Sequence, residues 1–166
     1  MYSIVKSTKS DQEIRLPRFV IGHAVRTRND IESSDRALIP ELWQRVVADD
    51  VLTNLPGRVG EEYFAVINDY ETDQHSHFTK VIGVGVDHLV DIPQDLVAVS
   101  IPHKRRNVFE ALADMPAALA EAWDRVWEKH PYLPTNRRGG TDIEVHYPDG
   151  DILILAAYQD DEEIPE

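Results

Sequence analysis

Apolar residues along this chain follow two different spacings, and each spacing predicts its own kind of element. Short runs rich in β-branched and aromatic residues read as strands: residues 19–25 (FVIGHAV), 63–68 (YFAVIN), 78–86 (FTKVIGVGV), 96–101 (LVAVSI), 141–147 (TDIEVHY) and 151–158 (DILILAAY). Leu38, Ile39, Leu42, Trp43, Val46 and Val47 recur instead at helical spacing. Pro40 is tolerable there only in the first turn, and Ser33-Ser34-Asp35 supplies capping residues ahead of it. Leu119, Ala122, Trp123, Val126 and Trp127 form a second helical face, with Asp114 as its expected N-cap and Pro116 in its first turn. Pro131 and Pro134 follow its end. Leu55-Pro56-Gly57 and Pro148-Asp149-Gly150 are turn sequences, and the polar stretch 69–77 joins two strands into a hairpin. Pro102-His103-Lys104 interrupts the run at 96–101, after which an extended segment continues through Val108-Phe109.

The order of elements is β-α-β-β followed by β-α-β-β. The letters repeat as well: Leu42-Trp43-Gln44-Arg45-Val46 aligns with Ala122-Trp123-Asp124-Arg125-Val126, and Phe19-Val20-Ile21 with Leu96-Val97-Ala98. An internal duplication explains both. The predicted fold is α+β, with an antiparallel sheet covered by two main helices and pseudo-twofold symmetry. One domain spans residues 1–159, its first half about 14–92 and its second about 93–159. A three-stranded sheet with one helix buries too little to stand alone, so the halves pack together. A ligand cleft is expected between them, where equivalent elements meet.

Composition narrows the functional classes. With 166 residues and 42% hydrophobic residues, the chain can bury a full core without covalent staples. It has no cysteine, which removes disulfides and thiolate metal sites. No apolar leader and no membrane-length apolar run is present, so a cytoplasmic location is expected. The net charge of −13 opposes direct nucleic-acid binding and favours cationic ligands. Part of that charge is local: Asp160-Asp161-Glu162-Glu163 and Glu166 make an acidic tail, residues 160–166, expected to be solvated and disordered.

Five segments carry a resemblance to a known family. They are Phe19-Val20-Ile21-Gly22, Ile39-Pro40-Glu41-Leu42-Trp43, Asp69-Tyr70-Glu71 with Phe78 through Gly83, Ile101-Pro102 with Val108-Phe109, and Ala122-Trp123 followed by Asp142-Ile143-Glu144-Val145-His146-Tyr147. In this order and spacing the chain, over residues 19–159, resembles the GyrI-like small-molecule-binding domains, also called AraC-type effector-binding domains. They serve as ligand sensors on bacterial transcription regulators and also occur alone. The resemblance implies an aromatic-lined pocket with one acidic side chain at its base, matched here by Glu144. It also implies a Tyr on the final strand, matched by Tyr158, and Trp123 as the helix residue facing that strand pair. Two positions depart from the family, which often has aromatics near Lys80 and Arg106. These two cations could neutralise Glu144 or favour an anionic ligand.

Strand alternation puts Asp142, Glu144 and His146 on one face and Ile143, Val145 and Tyr147 on the other. A carboxylate buried in an apolar pocket either raises its pKa or recruits a cation, and aromatic walls add cation–π attraction. Tyr70 and Phe78 are candidates for the cleft wall, with core or rim packing as the alternative. Trp43 and Trp127 suit the core. His146 could hydrogen-bond Glu144 and form an acid–base couple. His75-x-His77 in an acidic loop reads more simply as solvated histidines than as a metal site. The basic runs Lys104-Arg105-Arg106 and Arg137-Arg138 read as solvated turn charge. No phosphate-binding glycine loop and no nucleophile elbow occurs, so no cofactor is expected.

The first expectation is therefore a ligand-binding domain for lipophilic, cationic, aromatic molecules, acting as a sensor or sequestering protein. From the short stretch before Phe19, no helix-turn-helix is expected ahead of the domain. The alternative, implied by hydrolases among the GyrI-like proteins, opens strained cyclopropane-bearing substrates with Glu144 as general base and Tyr158 or Tyr70 positioning the substrate. A third is a protein-interaction role with gyrase or a regulator, in which the acidic tail imitates nucleic-acid charge. Edge strands leave a homodimer open.

Overall fold

The computed structural model describes residues 14–68, 76–89, 91–102, 106–111, 118–129 and 141–157. Eleven elements follow in chain order: β1 (Phe19–Thr27), α1 (Asn29–Glu32), α2 (Ile39–Ala48), α3 (Asp50–Thr53), β2 (Tyr63–Asn68), β3 (Phe78–Val86), β4 (Val97–Ser100), β5 (Arg106–Ala111), α4 (Ala118–Lys129), β6 (Asp142–His146) and β7 (Ile152–Ala157). The strands form one seven-stranded sheet in the order β4-β1-β3-β2-β6-β7-β5. Every pairing is antiparallel.

Without β4, that order reads the same from either end as a first unit β1-β3-β2 and a second unit β5-β7-β6, joined by the β2–β6 ladder. This is the predicted duplication with its pseudo-twofold axis. One assignment is corrected. The run at 96–101 was expected to open the second unit. Its strand β4 instead pairs with β1 at the outer edge, and β5 takes the equivalent place by pairing with β7. The letter match between Phe19-Val20-Ile21 and Leu96-Val97-Ala98 thus aligns two adjacent strands of one unit. Both runs fit a half-buried strand, and local pattern does not name a strand's partner.

Strand periodicity sorts the core into two faces. Ile21, Ala65, Ile82, Val84 and Val86 meet Leu42 and Val46 of α2 and Leu52 of α3. Ile154, Ala156 and Ala111 meet Ala122 and Val126 of α4 on the same side of the sheet. On the opposite face, Val20, Phe64, Val66, Val81, Ile143, Val145, Leu153 and Leu155 form one apolar layer, packed by Ile14 and Leu16. Gly22 and Gly83 stand in register on this face, and a Cβ on either would run into the backbone of the other strand. Glycine there lets β1 and β3 approach closely.

Local chemistry explains the ends of elements. Asp49 caps α3 by accepting the Leu52 N–H. Glu32 reaches forward to accept the Leu38 and Ile39 N–H groups, capping α2 in place of the expected serines. The predicted turn at 148–150 is present, with Gly150 at φ 96° joining β6 to β7. Asp114, Pro116, Pro131, Pro134 and the acidic tail lie outside the described residues. Among the described residues, no helix is long and apolar enough to cross a membrane.

Candidate functional site

Helices α2 and α4 each cover one unit and leave the middle of the sheet between them uncovered. Strand parity fills that gap with a row of side chains from β3, β2 and β6. Ile67 pairs with Lys80 on one side and with Asp142 on the other, so all three point toward the helices. Two residues further along β6, Glu144 points the same way. The resulting cleft has a volume of about 650 Å³. Its walls are Ile39 and Pro40 from α2, Leu119, Ala120 and Trp123 from α4, and Phe78 from β3. Glu144, Lys80 and Ile67 form the floor, and Glu32 and Asp124 line it as well.

Glu144 is 1% exposed and Lys80 6%. The Lys80 Nζ donates to Glu144 Oε2 at 3.2 Å, and Trp123 Nε1 donates to the same oxygen at 2.8 Å. His146 Nε2 donates to Oε1 at 2.8 Å. Its ring is stacked at a tilt on Trp43, with centroids 4.5 Å apart, and Trp43 also meets the Tyr63 edge. Burial by itself pushes the Glu144 carboxyl up. The Lys80 charge, the hydrogen bond and charge of His146 and the Trp123 indole more than reverse it, holding the group well below the usual carboxylate range. Glu144 is therefore an anion with donors on both oxygens, one of them the Lys80 ammonium.

Trp123, Phe78, Lys80 and Glu144, all expected from the sequence, come together in this cleft, and His146 adjoins it through Glu144. Arg106 does not join them. It lies on the opposite face of the sheet in a separate cavity with Arg15, Arg18 and Leu155, where it donates to the Thr141 and Pro102 carbonyls. Burial lowers its pKa from the ordinary arginine value. Tyr70, Tyr158 and His75 lie outside the described residues. Among the described residues, no three histidine or acidic side chains cluster as a metal site. Sequence reading missed Glu32 and Asp124 as cleft residues. For Asp124 a signal existed, because Ala120 and Asp124 lie one helical turn apart beside Leu119 and Trp123.

As a base, Glu144 is poorly suited. General bases work best with a pKa near the operating pH, and this one is depressed and already holds three donors. Its standing charge is better suited to attracting and orienting a bound molecule.

Two solved structures share this fold. An integron cassette protein from the mobile metagenome of Vibrio cholerae superposes with a TM-score of 0.68 at 22% identity, covering 87% of this chain and 92% of its own. SAV2435, solved bound to tetraphenylphosphonium, superposes with a TM-score of 0.62 at 16% identity, covering 88% and 91%. Among curated proteins, no sequence matches. The family of integron-associated effector-binding proteins matches residues 16–162, and the chain belongs to it.

Proposed function

We propose that the cleft between α2 and α4 binds a small lipophilic cation with aromatic character, and that the protein acts as a sensor or sequestering protein for it. The observation that carries this reading is the charge of the lining: three carboxylates, Glu32, Asp124 and Glu144, against the one ammonium of Lys80. Asn29 and Ser33 are the uncharged polar members of the lining, the rest is apolar, and Trp123 and Phe78 offer aromatic surfaces to a cation. A net charge of −13 draws cations toward the whole molecule. Membership in an effector-binding family and a related structure holding tetraphenylphosphonium support the same class of ligand.

The test uses two probes of one shape and opposite charge, tetraphenylphosphonium and tetraphenylborate, titrated calorimetrically into the purified protein. The phosphonium is expected to bind and the borate to bind more weakly by about tenfold or more. Equal or preferred binding of the borate would overturn the cationic assignment.

A further inference from the structure

The charge at the cleft floor is already compensated from within, by a side chain that lines the same cleft. Lys80 sits between Thr79 and Val81 on β3, surrounded by strand residues that are otherwise apolar on its face: Ile82, Val84 and Val86. Its ammonium lines the same cleft as Glu144 and reaches the carboxylate at 3.2 Å. Trp123 and His146 hold Glu144 through ring N–H donors, and Lys80 through its ammonium. A ligand cation arriving at Glu144 meets this ammonium first. Like charges in a partly dehydrated space repel strongly, so each stays only by weakening the hold of the other.

Resting on the cationic reading above, we infer that Lys80 is a tethered competitor: it occupies the cation subsite on Glu144 and sets which cations the cleft accepts. Small primary ammonium ions offer Glu144 nothing that Lys80 does not already supply, and they must shed water to enter. A delocalised, donor-free cation has another route. It is weakly hydrated and takes its affinity from the walls formed by Trp123, Phe78 and Leu119, with Asp124 close by. The accepted class is therefore quaternary or delocalised lipophilic cations, with primary amines excluded by the lysine itself. Lys80 also adds a countercharge to the ring donors on Glu144, and burial of an uncompensated carboxylate would be penalised heavily.

Three variants test this. Lys80→Met keeps the volume and removes the charge, Lys80→Gln keeps a donor for Glu144, and Lys80→Ala leaves a channel the shape of n-propylammonium. Met and Gln are expected to bind tetraphenylphosphonium roughly tenfold or more tighter than wild type by calorimetry. The Ala variant is expected to gain thermal stability with n-propylammonium, which leaves wild type unchanged. If wild type binds the phosphonium and neither the Met nor the Gln variant binds it tighter, the competitor role is wrong while the cationic reading stands. If wild type and all variants ignore the phosphonium, both fall together. A wild-type protein stabilised by n-propylammonium as much as the Ala variant would also overturn it.

Discussion

Ala65 and Glu144 face each other at the middle of the five paired positions of β2 and β6, so the pseudo-twofold axis relates a methyl group to a carboxylate. Both point to the helix side of the sheet. One unit keeps the position small, and the other uses the space for its charge. The duplication thus yields one charged floor rather than two, avoiding a pair of buried like charges at the axis. Ala65 is fully buried in the layer that meets Leu42 and Val46 and stands opposite Glu144, so a larger side chain there crowds the core beside the floor. Ala65→Val is expected to lower stability by about 1–3 kcal/mol and to weaken ligand binding in the cleft. Chemical denaturation and calorimetry on the same sample check both, and a neutral substitution would show that the centre of the sheet is loosely packed.

Much of this arrangement was open to sequence reading. Period-two alternation separates Asp142, Glu144 and His146 from Ile143 and Val145, and the two sets do face opposite sides. Helical spacing locates Leu42, Val46, Ala122 and Val126, all of which are buried. What failed is what depends on distant parts of the chain. The run at 96–101 looks like a strand in either unit, and only the closed β1–β4 ladder decides the matter. The pairing of Lys80 with Glu144, 64 positions away, was open only through the family resemblance, since nothing near Lys80 in sequence announces its partner. Arg106 was legible in principle. If Phe109 packs under a helix, a residue three positions earlier on the same strand faces the other side.

Acid should act on this protein through Glu144. Its folded pKa lies below its ordinary value of 4.5, so the contribution to stability is complete above that value and is lost as pH falls through it toward the folded pKa. Asp49, held down chiefly by its hydrogen bond from His23, shifts in the same direction but is far more exposed. Wild type is therefore expected to lose stability more steeply than Glu144→Gln between about pH 5 and pH 3. Urea denaturation at stepped pH measures the two slopes. Parallel slopes would mean that Glu144 is not the buried, paired anion described here.

Trp123 joins the wall to the floor: its ring lines the cleft while its Nε1 donates to Glu144. Trp123→Phe keeps an aromatic wall and deletes the donor. A hydrogen bond to a charged group is worth about 1.5–3 kcal/mol, so stability should fall by an amount of that order. The same substitution should abolish most of the fluorescence change on ligand binding, because Trp123 is the tryptophan that lines the cleft among the described side chains. A full fluorescence response in the variant would place the ligand elsewhere.

Glu144→Gln is the sharpest test of what the floor does, because it alters charge with almost no change in shape. The amide oxygen can still accept from His146, but Lys80 is left as an uncompensated ammonium at the base of the cleft. The substitution therefore exchanges a neutral ion pair for a net positive floor. Removing one partner of a buried pair is costly, about 3–5 kcal/mol at the upper end, so folding must first be verified by circular dichroism. In the folded variant, tetraphenylphosphonium affinity is expected to fall by more than about tenfold, which corresponds to about 1.4 kcal/mol. Tetraphenylborate, identical in shape, should gain affinity against the exposed Lys80 charge. A loss for both probes would mean that Glu144 shapes the cleft without selecting charge. An unchanged phosphonium affinity would remove Glu144 from ligand recognition altogether. Opposite shifts of the two probes are what a Glu144 charge held by Lys80, His146 and Trp123 requires.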